Sequence, residues 1–253
     1  MIPLRFSALR QMAKSPAHYA AHLLQEPETT SAMDVGTAAD LMILGGRKVV
    51  AYPGQVRRGK EFEAFAQEHA ADVIVTKAEH AKAEGIATAV ANSPDAVRLL
   101  GGLRQHTEHW TINGRTCRGT PDVRGDWYIA DLKTGRTSDP RRFGWQVRQF
   151  AYHAAAAWYL NGCRIVERYG SMPSDAYIVA VEQESPHVVT VFQLTDHALE
   201  LGERLWRTWF EQLQVCEASD SFPPYSQSIV DLDVPDDEDI DIGDAVELVS
   251  TTE

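Results

Sequence analysis

The chain has 253 residues, of which 44% are hydrophobic, so it can form one domain of moderate size with elaborations, or one domain plus a small subdomain. Its three cysteines, Cys117, Cys163 and Cys216, are far apart in sequence, which excludes an iron–sulfur centre with four cysteine ligands and favours buried, reduced thiols. The sequence shows no apolar run that could span a bilayer and no signal-peptide pattern, so we expect a cytoplasmic protein.

The net charge of −12 is unevenly distributed along the chain. Residues 231–253 contain ten acids and no lysine or arginine, and the rest of the chain carries a charge of only −2. Between Arg98 and Arg148 there are ten basic residues and five acids, which predicts a phosphate-binding surface. The alternative is an ordinary solvated charged face. The acidic tail is predicted to be disordered.

The first part of the chain is predicted to be mainly helical. Apolar spacing indicates helices over 6–24, 36–44 and 77–92, another helix after Ser93-Pro94, a polar loop at 25–32, and a charged segment at 57–69 that leads into a helix. Asp40 is the one charged residue of the apolar 36–44 helix. A carboxylate is expensive to bury there without a partner.

Strands are predicted over 106–112, 115–120 and 127–133, and Asn113-Gly114 between the first two is a strong hairpin signal. A long helix follows from about residue 141 to 160, ending at Asn161-Gly162, then strands over 176–182 and 188–194 and a helix over 196–216. The predicted fold class is α/β, with a mixed central β-sheet flanked by helices and the core order helix, three antiparallel strands, helix, strand. We expect a helical N-terminal region (1–97) that contributes to the site, a core (98–217) and the acidic tail (218–253).

The most informative pattern is Asp122, followed after a Gly turn and an apolar strand by Asp131-Leu132-Lys133. Strand side chains alternate between faces, so Asp131 and Lys133 point the same way, and a hairpin can bring Asp122 beside them. Converging carboxylates favour a divalent cation, and a nearby lysine can orient a water and offset phosphate charge. This pattern predicts metal-dependent phosphodiester hydrolysis. The alternative is a surface strand end with an ion pair.

Several flanking stretches occur in a fairly specific order. They are Ser15-Pro16-Ala17-His18-Tyr19, Gly36-Thr37-Ala38-Ala39, Arg58-Gly59-Lys60, Glu108 with Trp110, Cys117-Arg118-Gly119-Thr120-Pro121-Asp122, Asp131-Leu132-Lys133-Thr134, and the segments 143–152 and 158–162. Together they resemble the PD-(D/E)XK nuclease superfamily over about residues 4–215. Within it, the chain is similar to the phage-type exonucleases of the RecE (exodeoxyribonuclease VIII) group, relatives of lambda exonuclease and of the RecB nuclease domain. The resemblance implies a restriction-endonuclease-like αβββαβ core.

The resemblance also implies a one-metal or two-metal site for Mg²⁺, with Mn²⁺ as the alternative. Its expected metal ligands are Asp122, Asp131, the Leu132 carbonyl, Asp40 and Glu108, the last of which would hold a second metal or a metal-bound water. Lys133 would position the attacking water, and the catalytic set would be Asp122, Asp131, Lys133 and Glu108. For Asp40 the alternative is a helix-surface acid, and for Glu108 a strand-edge acid paired with an arginine.

Two positions depart from the pattern of the family. Asp40 stands where the family usually has a metal-binding histidine, and a carboxylate suits Mg²⁺ or Mn²⁺ at least as well as imidazole. Ala155 replaces a glutamine that usually helps to organise the site, and Gln149 lies about two turns earlier. The expected DNA-binding residues are Arg118, Arg136, Arg141, Arg142, Arg148, Gln149 and Tyr152. For each arginine the alternative is plain solvent exposure.

The function expected from this resemblance is 5′→3′ exonuclease action on linear double-stranded DNA, producing 3′ single-stranded ends for recombination, in a bacterium or a phage-infected host. The resemblance further implies a ring-shaped homo-oligomer and a single-strand annealing recombinase as partner. One alternative is an endonuclease of the same fold that is specific for a structure or sequence. The other is a catalytically inactive DNA-binding or assembly module, which the departures at Asp40 and Ala155 motivate.

Overall fold

The computed structural model describes residues 2–25, 31–166 and 172–233. The helices are α1 (Phe6–Leu9), α2 (Pro16–Leu24), α3 (Ser31–Leu44), α4 (Lys60–Glu68), α5 (Lys77–Ala91), α6 (Pro94–Leu99), α7 (Pro140–Gln149), α8 (Tyr152–Val166) and α9 (Asp196–Ser219), with a 3₁₀ turn at Arg10–Ala13. The strands are β1 (Leu4–Arg5), β2 (Val49–Tyr52), β3 (Val73–Thr76), β4 (Leu103–Arg104), β5 (Glu108–Ile112), β6 (Arg115–Gly119), β7 (Val123–Arg124), β8 (Tyr128–Gly135), β9 (Asp175–Glu182) and β10 (Val189–Gln193). In these ranges, no helix combines the length and the apolar character needed to cross a membrane.

Within the described residues the strands form three sheets. The largest has the order β10-β9-β8-β7-β4 and is mixed, because β8 and β9 run parallel while their other neighbours are antiparallel. A three-stranded sheet, β1-β6-β5, joins the chain start to the β5–β6 hairpin, and a parallel β2–β3 pair stands separately. The predicted fold class, a mixed sheet flanked by helices, is confirmed.

The predicted three antiparallel strands do not share one sheet. Strands β5 and β6 share a sheet with β1, whereas β8 belongs to the five-stranded sheet. The short strand β7, which follows β6 in sequence, pairs with β8 and β4 in that larger sheet. The hairpin prediction at Asn113-Gly114 is confirmed, since both residues have positive φ, as a type I′ turn requires. Strands β2 and β3 were missed, although both are rich in β-branched residues.

Two predicted helices are interrupted. The 6–24 helix is divided into α1, a 3₁₀ turn and α2. Ser15 caps α2, and Pro16 follows in its first turn, where a backbone N–H would have no partner within the helix. The 141–160 helix is divided into α7 and α8 at Ala151, whose φ of 54° is incompatible with a continuous helix. The predicted stop at Asn161-Gly162 is wrong, since α8 continues to Val166.

The two largest core clusters are built from different elements. One joins the N-terminal helices to α8 and α9 around Trp158 and Trp206, which are fully buried. The other joins α3, α5 and α6 to the five-stranded sheet, so residues before position 98 share a core with β8 and β9. The domain boundaries given above stay a prediction, and most of the acidic tail (234–253) lies outside the described residues.

Candidate active site

The second half of β8 carries two of the predicted site residues on one face. Lys133 Nζ lies 3.1 Å from Asp131 Oδ2 and donates a hydrogen bond to the Leu132 carbonyl at 3.2 Å. This is the arrangement that strand alternation predicts for positions i and i+2. The side chain of Lys133 is 26% exposed and that of Asp131 16%, so the pair faces solvent only in part.

Asp122 lies between β6 and β7 and is held to β8 by two hydrogen bonds. Its backbone N–H donates to Asp131 Oδ1 at 3.3 Å, and its Oδ2 accepts from the Leu132 N–H at 2.8 Å. The β7–β8 pairing extends only from Val123↔Ala130 to Arg124↔Ile129. The Asp122 carboxylate therefore accepts a β8 N–H beyond the point where that pairing ends. As a result the two carboxylates lie together, with Lys133 Nζ 3.9 Å from Asp122 Oδ2.

Helix α3 brings Asp40 into the same electrostatic environment. Its Gly36 packs closely against β8, since a Cβ there would lie 2.9 Å from Thr134 Oγ1. Burial, followed by the Asp122 carboxylate, raises the pKa of Asp40 to about 7, with Asp131 adding to the rise and Lys133 opposing it. The charge of Asp40 is thus coupled electrostatically to those of Asp122, Asp131 and Lys133.

The charges of this group act strongly on one another. Burial and the Asp131 carboxylate raise the pKa of Asp122. Burial alone would lower the pKa of Lys133, but the carboxylates of Asp131 and Asp122 override that effect and raise it. Lys133 is therefore a fixed positive charge among carboxylates that are costly to ionise together.

Two tyrosines of α8 line the same group. The Tyr152 ring centroid lies 5.5 Å from Lys133 Nζ. Burial and the Asp131 carboxylate raise the pKa of Tyr159, so its hydroxyl is neutral and is coupled electrostatically to these charges. Tyr159 was not predicted as a site residue, although it lies seven positions after Tyr152 and therefore on the same helix face. Arg10 was also missed. Burial raises the pKa of Tyr152, the positive charges of Lys133 and Arg10 oppose that rise, and Arg10 Nη1 donates to the Phe150 carbonyl at 2.9 Å.

Glu108 is engaged elsewhere. Its Oε1 accepts from Arg124 Nη1 and lies 3.5 Å from His106 Nε2, and the side chains of Glu108 and Arg124 are both 3% exposed. Its Oε2 is buried and has no hydrogen-bond partner within the described ranges. This contact corresponds to the alternative of an acid paired with an arginine. Ala155, the second departure, is buried in the core around Trp158.

Most of the expected DNA-binding residues are exposed. Arg136, Arg148 and Gln149 are exposed, Arg118 and Tyr152 are half-buried, and α7 also exposes Arg141 and Arg142. In the part of the chain that the structure describes, none of these five arginines has a carboxylate within ion-pair distance. Their positive charge is therefore open to an external anion.

The donor chemistry of the site fits a hard divalent cation. Asp122, Asp131 and the Leu132 carbonyl supply only oxygen atoms, which Mg²⁺ and Mn²⁺ prefer. Among the described residues, no three His, Cys, Asp or Glu side chains are grouped closely enough to form a complete metal cluster. A cation here would take its other ligands from water and phosphate oxygens, as Mg²⁺ usually does in phosphoryl-processing sites.

Comparison with known proteins gives a consistent picture. A solved "Putative exonuclease" from Eubacterium rectale superimposes with a TM-score of 0.63 at 14% identity, over 92% of this chain and 91% of that one, which is a likeness of fold. The solved structure of SSO0001 has a TM-score of 0.28 at 10% identity, over 80% of this chain and 85% of that one, too low to support any inference. No curated protein matches the sequence. Residues 5–231 match a family profile described as a PDDEXK-like domain of unknown function. The chain therefore belongs to this PDDEXK-like family (DUF3799), within the PD-(D/E)XK nuclease superfamily.

Proposed function

We propose that this protein is a metal-dependent deoxyribonuclease that hydrolyses phosphodiester bonds at the end of β8. The observation that carries the proposal is the convergence of two aspartates and Lys133 at one strand end, with the Asp40 carboxylate electrostatically coupled to them. Family membership and fold support a nuclease. The unpaired arginines nearby fit a polyanionic substrate such as DNA.

Asp122, Asp131 and the Leu132 carbonyl would hold Mg²⁺, and Asp40 would complete the carboxylate set. When bound, the cation would supply positive charge to the scissile phosphate and lower the pKa of water. The hydrogen bonds between Asp122 and β8 hold the two carboxylates side by side, which supports their proposed role as metal ligands. We assign Glu108 to support of the β5–β7 region through Arg124.

Lys133 would act as a hydrogen-bond donor and a fixed charge. Its pKa is raised, so it stays protonated and does not serve as a general base. In hydrolysis a water oxygen attacks phosphorus, the bond from phosphorus to the leaving oxygen breaks, and negative charge grows on the phosphoryl oxygens. The Lys133 ammonium can orient that water and stabilise the developing charge. The neutral Tyr159 side chain is coupled electrostatically to the same charges.

The finer proposal is an exonuclease that degrades linear double-stranded DNA from 5′ ends and leaves 3′ single strands for recombination. It is supported by the resemblance to RecE-type enzymes and by the fold shared with the E. rectale protein. The same resemblance motivates a ring-shaped homo-oligomer and a single-strand annealing partner. Mass photometry of the purified protein tests the oligomer directly, and a monomer at all concentrations would eliminate the ring.

The test is digestion of 5′-labelled linear duplex and of closed circular plasmid, with Mg²⁺ or with EDTA. We expect Mg²⁺-dependent release of label from the linear duplex alone. Lys133→Ala should reduce the rate by about 10²–10³-fold, because it removes one preorganised donor to the transition state. The matched control is Lys82→Ala, which removes a lysine from an exposed ion pair with Glu184, outside the site.

Each departure from that result has a defined meaning. Nicking of the closed plasmid would replace the exonuclease by an endonuclease. Release of label only from 3′-labelled ends would reverse the polarity. Absence of cleavage with both Mg²⁺ and Mn²⁺ would overturn the proposal and favour an inactive DNA-binding module.

A further inference from the structure

One face of α7 combines three arginines with a solvent-exposed tryptophan. Arg141 and Arg142 lie four and three residues before Trp145, and Arg148 lies three residues after it. At these spacings all four side chains share one helix face. Trp145 is 69% exposed, whereas Phe143 on the opposite side is 3% exposed and stacks on Phe192 with centroids 4.7 Å apart. The buried side therefore anchors the helix and leaves this face to solvent.

The face is suited to an anionic, aromatic ligand. Helix α7 contains no acidic residue, and the three arginines have no carboxylate partner among the described residues. Trp145 has no ring contact in the same part of the chain. A single exposed apolar residue is ordinary, but an unpartnered indole between three free guanidinium groups matches the combination by which proteins hold single-stranded nucleic acid.

This face borders the candidate active site. A Cβ at Gly135, two residues after Lys133, would lie 3.5 Å from Gln146 Oε1, so the middle of α7 packs against the end of β8. At the other end of the helix, the Phe150 ring stacks on Tyr152 with centroids 5.6 Å apart, and Tyr152 contacts Lys133. A strand bound along α7 would therefore lead into the carboxylate group.

We propose that Trp145 stacks on an unpaired nucleobase of a DNA strand whose phosphates bind Arg141, Arg142 and Arg148. Bases inside a duplex have both faces covered, so a free face exists only in a single strand or at a frayed end. Trp145 would then hold the strand end beside the site and make it selective for unpaired or terminal nucleotides. This inference rests on the proposed nuclease function and names the form of DNA that the site accepts.

The test separates base stacking from phosphate binding. In EDTA, where cleavage cannot occur, binding is measured by fluorescence anisotropy with a labelled oligothymidine and with an abasic chain of the same number of phosphates. We expect Trp145→Ala to weaken oligothymidine binding about tenfold and to leave abasic binding unchanged. Trp145→Phe, which keeps an aromatic ring, should retain most of the affinity. Trp127→Ala removes another exposed tryptophan, at the start of β8, and should change neither.

The inference is overturned if wild-type protein binds the two chains equally, if Trp145→Ala has no effect, or if it weakens both chains alike. Equal melting temperatures for wild type and Trp145→Ala verify that the fold is intact. The nuclease proposal fails separately, because it depends on cleavage and on Lys133. Base-dependent loss in Trp145→Ala without any cleavage by wild type would retain the stacking site and remove the enzyme.

Discussion

Asp40 is an energetically unfavourable residue in the folded, metal-free protein. Burial and the neighbouring Asp122 raise the pKa of Asp40 to about 7, well above its value in an unfolded chain. The folded state therefore holds the proton more tightly, and ionised Asp40 destabilises the fold increasingly as the pH rises from about 4 through 7. Such a residue is tolerable where a cation neutralises it.

Asp40→Asn should therefore raise the melting temperature in EDTA at pH 8 by about 2–4 °C, a gain that shrinks as the pH is lowered towards 5. The same variant should gain less than wild type when Mg²⁺ is added, because binding stabilises only the folded state and the variant has lost a ligand. Differential scanning fluorimetry measures both effects.

Glu211→Gln, on the exposed side of α9, removes one solvated negative charge and controls for net charge. Destabilisation of Asp40→Asn in EDTA would show that the carboxylate has a favourable partner, contrary to this account.

Residues on a single strand were the predictable part of the site. Strand alternation alone places Asp131 and Lys133 on one face. The Glu108–Arg124 ion pair and the approach of Tyr159 depend on how β5, β7 and α8 pack, and no local pattern encodes that packing.

At the scale of elements, α8 and α9 form one of the closest contacts in the structure. Gly202 of α9 lies against the backbone of α8, since a Cβ at this position would lie 2.3 Å from the His153 carbonyl oxygen. That approach allows Trp206 to stack edge-on against Trp158 with centroids 5.4 Å apart. Helix α8 also carries Tyr152 and Tyr159, so this contact supports the site.

Gly202→Ala should destabilise the protein by about 1–3 kcal/mol, because the added methyl group must displace a backbone. Gly144→Ala is the matched control: it lies on the exposed side of α7 with no atom near its Cβ position, and it should stabilise by roughly 0.5–1 kcal/mol. Urea unfolding followed by circular dichroism measures both. Equal stability of the two variants would mean that α9 can shift away from α8 without loss.

The elements show why helices were easier to locate than to delimit. The Asn161-Gly162 pair predicted a helix end, but α8 continues past it. Position 162 is a glycine for a packing reason, because a Cβ there would lie 2.5 Å from the Trp110 ring. Conversely, nothing in the local sequence marked the break at Ala151. Pairing of β1 with β6 joins residues more than a hundred positions apart, and local patterns do not report it.

On the scale of the whole molecule, positive and negative charge are segregated along the sequence. Ten basic residues and five acids lie between Arg98 and Arg148, while residues 234–253 contribute eight acids and no lysine or arginine. Two roles suit such an acidic tail: it could dock a partner protein, or it could compete with DNA as a tethered phosphate mimic. This distribution can be read from the sequence alone, but the sequence does not show which basic residues share a surface.

Deletion of 234–253 should strengthen binding to a short duplex several-fold at low salt, because a competing anionic segment is removed. The gain should vanish near 1 M salt, where the Debye length is about 3 Å. A full-length variant with these acids changed to Asn and Gln separates charge from chain length and should behave like the deletion. Unchanged salt dependence in both would leave the docking role as the remaining explanation.

Asp122 also stabilises the backbone of β8, and this affects which residue should be changed to make an inactive variant. Its carboxylate accepts the Leu132 N–H where β7 has already ended, so it holds β8 in place of a neighbouring strand. Removing it would loosen a backbone as well as a ligand, and lost activity would be ambiguous. Lys133 Nζ donates to the Leu132 carbonyl, but its removal leaves the Leu132 N–H bonded to Asp122. A variant that binds DNA without cleaving it is therefore best made at Lys133. The exchange rate of the Leu132 amide hydrogen then reports whether that strand end remains closed.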